Sequence, residues 1–138
     1  MLTKLAFTYN NIDISIPLHH AVTEIGGESG DGKTFIFNAL CDIGRRLDFK
    51  LVTIDSRNYH ACTSLLDPET LYVIDGIDEL LLYYPNFIDK INSWKYQFLL
   101  FGHNFSGINC DIRYAYDLIQ KGNRLTVRPL IRSDLYTM

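Results

Sequence analysis

Residues 27–34 read G-E-S-G-D-G-K-T, and this octapeptide constrains the fold more than any other stretch of the chain. It fits G-x-x-x-x-G-K-[ST], the spacing of a backbone cradle for phosphate. Glycines at 27, 30 and 32 let the main chain adopt conformations closed to other residues and approach phosphate oxygens closely. Successive N–H groups then form an anion nest capped by a helix N-terminus. Lys33 brings a positive charge to the β- and γ-phosphates, and the Thr34 hydroxyl is suited to ligate Mg²⁺. Gly27, Glu28, Ser29, Gly30, Asp31, Gly32, Lys33, Thr34 and Phe35 are therefore the expected nucleotide contacts. Such a loop needs a strand before it and a helix after it. A-V-T-E-I at 21–25 supplies the strand. From Lys33 onward, Phe37, Leu40, Cys41, Ile43 and Leu47 recur with a near-helical period.

The rest of the chain alternates in the same way. L-A-F-T-Y (5–9) and I-D-I-S-I (12–16) read as two strands joined at Asn10-Asn11. Residues 49–55 and 71–75 read as strands, the second continuously apolar as in a sheet covered on both faces. Residues 78–84 and 86–94 read as helix, interrupted at Pro85. Residues 96–102 form another apolar strand. Residues 110–122 read as a helix, with Asp111 near its start and Gly122 as its stop, and 124–128 as the last strand. The pattern is weakest over 56–70, where a short helix is expected near 60–66. Strands alternating with helices imply an α/β fold with a mainly parallel sheet and right-handed crossovers. The length favours a single domain over 1–138, with 1–20 as an N-terminal β-hairpin and 21–138 as the nucleotide-binding core.

I-G-G-E-S-G-D-G-K-T, followed by L-Y-V-I-D-G-I-D-E-L at 71–80, resembles a P-loop NTPase of the additional-strand, catalytic-glutamate division, over roughly residues 21–128. The resemblance implies a three-layer α/β/α core with sheet order 5-1-4-3-2, counting the loop strand first. It also implies ATP or ADP as the nucleotide, and Asp75 as the residue that holds Mg²⁺ directly or through water. The opening hairpin resembles the start of ABC-type ATPase domains, and V-I-D-G-I-D-E-L resembles the Walker B segment of the STAND ATPases, including the NACHT group. The sequence departs from the division at Gly76, where a catalytic glutamate would directly follow the aspartate. Glu79 and Asp78 are the remaining acidic candidates for orienting a water, with Glu79 preferred on chemical type; both also fit a solvated helix start. In this division a polar residue after the fourth strand senses the γ-phosphate. His103 and Asn104 stand there, and the neutral amide of Asn104 is the better match, with a loop-capping role as the alternative. An ABC signature would precede Walker B, whereas F-S-G-I-N (105–109) follows it, and neither Gln97 nor Gln120 sits at a Q-loop position. ABC function is therefore not implied.

Hydrophobic residues at 47% and charged residues at 21% are compatible with a packed core rather than disorder. A net charge of −3 gives no general attraction to nucleic acid or to membranes, so direct binding to either is not expected. The three cysteines form no C-x-x-C pair, which reads as free thiols in a reducing compartment. The first residues lack a signal-peptide core, and no apolar run reaches the ~18 residues of a membrane span, so the expected location is cytoplasmic. Arg124 and Arg128 share one face of a strand, with Arg132 continuing the spacing. They could meet phosphates, an acidic partner or solvent. Arg113 is a weaker candidate for an arginine finger, which otherwise has to come from a second chain. Tyr9 is a candidate for stacking on the base. His19 and His20 have no acidic or cysteine partner at metal spacing and read as surface residues. Three functions remain open. The first is a Mg²⁺-dependent ATP-binding protein acting as a small ATPase on or with a protein partner or a second copy. The second is an accessory or inhibitor module that binds nucleotide without significant hydrolysis. The third, a small-molecule kinase, is disfavoured because no arginine-rich lid helix is evident.

Overall fold

Asn10 and Asn11 both take positive φ, 50° and 62°, as a two-residue hairpin turn of the type I′ kind requires and asparagine tolerates. The turn joins β1 (Lys4–Tyr9) to β2 (Ile12–Pro17), paired antiparallel from Tyr9↔Ile12 to Lys4↔Pro17. The computed structural model of the chain describes residues 1–27 and 32–130. After the hairpin come β3 (Val22–Gly26), α1 (Lys33–Ile43), β4 (Leu51–Ile54), α2 (Tyr59–Thr63) and β5 (Leu71–Asp75). Then follow α3 (Ile77–Tyr83), α4 (Phe87–Asn92), β6 (Gln97–Phe101), β7 (Ala115–Lys121) and β8 (Arg124–Pro129).

The eight strands of the described residues join one sheet in the order β1-β2-β8-β7-β3-β6-β5-β4. From β7 to β4 each neighbouring pair is parallel. β8 runs antiparallel to β7 and parallel to β2. The class is α/β, but the sheet differs from the five-stranded one expected. The helix expected over 110–122 is instead a 3-10 turn, Ile112–Tyr114, followed by β7. The strand expected at 124–128 is β8, an antiparallel partner of β7. Two physical reasons account for the change. β3 is buried throughout, so an empty edge beside it would leave main-chain groups without partners; β7 pairs with that edge. Gly122-Asn123, with Gly122 at φ 60°, forms the two-residue connection between Lys121 and Arg124. Gly-Asn between two strand-like runs is a hairpin signal, and reading Gly122 as a helix stop overlooked it.

Alternation along the strands sends neighbouring side chains to opposite faces. On one face, Ile36, Phe37 and Leu40 of α1 pack on Ile25, Val73, Leu99 and Phe101, and the same core continues to Leu5, Ile14, Ile16 and Leu125 of the hairpin and β8. On the other, Ile77 and Leu80 of α3 and Phe87 and Ile91 of α4 pack on Val22, Ile54, Tyr72, Ile74, Phe98 and Leu100. That second face is apolar only over the parallel half. Over β1, β2 and β8 it carries Lys4, Ala6, Thr8, Asp13, Ser15, Arg124 and Thr126, which line an open cleft of about 620 Å³. The β2–β8 ladder holds only Asp13↔Arg124 and Ile14↔Leu125. Pro17, at the end of β2, has no N–H to extend it.

Candidate functional site

Because β3, β6, β5 and β4 are parallel, their carboxyl ends lie on one side of the sheet, and the chain leaves each strand there. β3 ends at Gly26, and α1 starts at Lys33 after Gly32, whose φ of 109° is open to glycine but strained for other residues. Glu28, Ser29, Gly30 and Asp31 lie outside the described residues. Lys33 is buried, and its Nζ donates to the Gly27 carbonyl at 2.8 Å and reaches that of Gly26 at 3.5 Å. Thr34 is exposed at the start of α1. Phe35 is half-buried and meets the Tyr9 ring edge-on, with centroids 5.9 Å apart. Tyr9 itself donates its hydroxyl to Asp42 Oδ2 at 2.6 Å.

Asp75 ends β5, two strands from β3. Burial pushes its carboxyl above the ordinary range, Asp55 and Asp78 add to the shift, and the Gly76 N–H and Lys33 oppose it. Gly76 has φ 65° and caps α3. A left-handed strand-to-helix turn disfavours any residue with a side chain, which gives a backbone reason for glycine standing where a glutamate would be expected.

The two remaining carboxylates diverge. A Cβ at Gly102 would lie 2.7 Å from Asp78 Oδ1 and 2.8 Å from Ile77 Cγ2, so only glycine admits these side chains at the end of β6. The Gly102 N–H donates in turn to the Ile25 carbonyl on β3 at 3.2 Å. Asp78 thus leans toward β6, which lies between β5 and the loop strand. Glu79 is exposed and lines a small cavity of about 120 Å³ with Asp55, Ser56, Asp75, Gly76 and Leu80, on the side of β4. Asn104 is exposed, and its Oδ1 accepts from the Ser106 N–H at 2.9 Å, the local turn the alternative reading described. His103, Asn104, Phe105 and Leu130 nevertheless line, with Gly26 and Gly27, a cavity of about 510 Å³ beside the loop entry.

Three residues at this end escaped the sequence reading. Asp55 follows β4, and hydrogen bonds from Arg57, above all, hold its carboxyl below the ordinary range. Its signal was available, since Ile54-Asp55 repeats the Ile74-Asp75 pattern at a strand end. Gly102 could have been read as the glycine after an apolar strand. Asp117 stands opposite Gly26, with Oδ1 buried and without a hydrogen-bond partner among the described residues, and with Arg128 Nε 3.9 Å from Oδ2. Reading 110–122 as helix hid it.

Other expectations need correction. Arg113 sits just before β7, and Glu24↔Ala115 pairing puts it at the amino end of β3, away from Gly26 and Gly27. It is bonded to Asp111 at 2.7 Å, and Asp111 is held down to about 2 mainly by that contact. Arg124 lies opposite Asp13 across the β2–β8 ladder, and Arg132 lies outside the described residues. His19 is buried at 8% exposure, not a surface residue, because its ring and backbone are bound at the corner before β3; His20 is exposed. No group of three or more His, Cys, Asp or Glu among the described residues is placed to hold a metal. No helix of the described residues is long and apolar enough to cross a membrane.

No family model and no curated protein matches the chain. Among solved structures, it is similar to AMPPCP-bound DnaA from Aquifex aeolicus at 12% identity and a TM-score of 0.41, over 76% of this chain and 43% of that one. It is also similar to a chain from a ribosome-bound archaeal Pelota and ABCE1 assembly at 12% identity and a TM-score of 0.48, over 91% of this chain and 33% of that one. The chain therefore spans less than half the length of either matched chain. These scores describe a remote likeness of fold and assign no chemistry to this chain.

Proposed function

We propose that the chain binds ATP or ADP with Mg²⁺ through residues 27–35, and that it hydrolyses ATP slowly with Asp78 as the residue that orients the attacking water. The observation that carries this reading is the convergence of Lys33, Asp75 and Asp78 at the carboxyl end of one parallel sheet, with Asp78 on the loop-strand side of Asp75. Mg²⁺ keeps several waters and takes phosphate oxygens, so one or two protein oxygens suffice to hold it. The Thr34 hydroxyl and the Asp75 carboxylate are those oxygens, and the crowding that raises Asp75 is relieved by a bound cation. Asp78 replaces Glu79 as the preferred base because Glu79 turns toward β4. Asn104 has its amide NH₂ to offer the γ-phosphate, while its oxygen accepts from the Ser106 N–H. A protein partner or a second copy belongs to the same proposal. Leu82 and Tyr83 are exposed at the far end of α3, whose first turn carries Asp78 and Glu79.

The test is nucleotide binding and phosphate release by the purified chain. Lys33→Ala should abolish both. Asp78→Asn should leave binding intact and lower release about 10²-fold or more, the usual loss for a missing base, whereas Glu79→Gln should stay within about threefold. Unchanged binding in Lys33→Ala would sink the whole reading. The opposite ranking of the two acidic variants would return the role to Glu79. The accessory-module reading is favoured by one observation, the left-handed Gly76 in place of a glutamate. It expects tight binding with no release above the Lys33→Ala background.

A further inference from the structure

The corner before β3 lies at the opposite end of the sheet from the phosphate loop. There the His19 N–H donates to Thr23 Oγ1 at 2.9 Å, and its carbonyl accepts from Gln97 Nε2 at 2.9 Å. Gln97 goes on to bond both main-chain groups of Leu2. His19 Nδ1 accepts from the Ala21 N–H at 3.0 Å. A main-chain N–H can only donate, so Nδ1 carries no proton and the neutral ring holds its proton on Nε2. The ring packs against His20, Trp94 and Tyr114, with centroids 4.0, 4.9 and 4.9 Å away.

Trp94 has φ 57°, a left-handed conformation that a bulky residue keeps only when its surroundings hold it. Its Nε1 donates to the Asn109 carbonyl at 3.0 Å, and its ring meets both histidines. Asn92 adds two bonds, to the Gly107 carbonyl and from the Asn109 N–H, each 2.8 Å. The segment 102–114, which carries His103 and Asn104 at one end, is thereby fastened at its other end to the His19 corner.

We propose that His19 is an acid-sensitive anchor: a proton taken up at Nδ1 breaks the Ala21 hydrogen bond and loosens the Trp94 packing that fastens segment 102–114. The groups facing the ring do not rescue the charged form. His20 opposes it, Arg113 opposes it, and Asp111, which favours it, is already engaged by Arg113. Burial, first, and then His20 hold the His19 ring below its ordinary value of 6.5. The sign follows. Below that value the unfolded chain takes up the proton first, so the His19 contribution to stability is full near neutral pH and declines as pH falls through the ordinary histidine range. The proposal is independent of nucleotide.

Trp94 is the single tryptophan, so its fluorescence reports the corner directly. The experiment follows Trp94 emission and the melting temperature from about pH 7.5 to about pH 5. The wild type should show a sigmoidal emission change and a falling melting temperature. His19→Asn keeps a side-chain acceptor for the Ala21 N–H and cannot titrate, so both signals should be flat or nearly so, while His20→Asn should retain the transition. A flat wild-type profile, or the same transition surviving in His19→Asn, would overturn the proposal. Should His19→Asn not fold, the wild type decides by NMR. The Ala21 amide resonance must move with the His19 ring titration, and a ring that titrates while the Ala21 amide stays still refutes the anchor.

Discussion

The two halves of the sheet are built by different rules. In the half formed by β3, β6, β5 and β4, helices cover both faces, the strands are mostly buried, and the open ends of the parallel strands form the candidate site. In the half formed by β1, β2, β8 and β7, the core shared with α1 covers one face, and the other carries, over β1, β2 and β8, lysine, arginine, threonine, serine and aspartate around an open cleft. The difference teaches where each half gets its order. Two-sided burial fixes the parallel half through packing, as an all-parallel sheet requires. Turn chemistry at Asn10-Asn11 and Gly122-Asn123, with one-sided burial, fixes the other.

Substitutions can break or sharpen that contrast. The largest effect is expected from Phe98→Ala, since Phe98 is fully buried between α4 and the central strands. Urea unfolding should show a loss of about 3–5 kcal/mol. Gly102→Ala should cost about 1–3 kcal/mol through overpacking against Asp78 and Ile77, and it should also depress phosphate release, because it displaces Asp78. Asp75→Asn should act in the opposite direction and stabilise by less than about 1 kcal/mol, since the site is partly solvated. A carboxyl raised in the folded state is better tolerated neutral. Its advantage over the wild type should be greatest above the raised folded value and vanish as pH falls below the ordinary 3.8, measured as the difference between the two melting curves. On the open face, Thr126→Ala should move stability by no more than about 0.5 kcal/mol. A loss comparable with that of Phe98→Ala would show that something covers the cleft.

Much of the parallel half was legible in the sequence. The strand before the loop, the helix after it and the apolar 71–75 and 96–102 strands form close to where residue type and period place them, and in the other half so does the Asn-Asn hairpin. The helix expected near 60–66 forms at Tyr59–Thr63. The failure came at 110–122, where Ile112, Ala115, Tyr116 and Ile119 satisfy a helical spacing while Tyr114, Tyr116 and Leu118 satisfy a strand's. A short apolar segment does not choose between those periods by itself. Within the site, the sequence identified Lys33, Asp75, Asp78 and Glu79 as candidates but carried no information on which carboxylate leans toward β6, because that depends on Gly102, which follows a neighbouring strand.

What the sequence determined alone is local. Glycine spacing at 27, 30 and 32 fits the pattern expected of a backbone cradle, Lys33 and Thr34 open the helix that follows, and alternating or continuous apolar runs mark most strands, because these signals depend on a residue and its near neighbours. Tertiary structure decided what depends on residues far apart in the chain. The uncovered edge of buried β3 recruits 115–121 as a strand, because its main-chain groups need partners. Gly102 receives Asp78 and so separates it from Glu79, and Gln97 and Trp94 close over His19 and bury a histidine that sequence alone places at the surface.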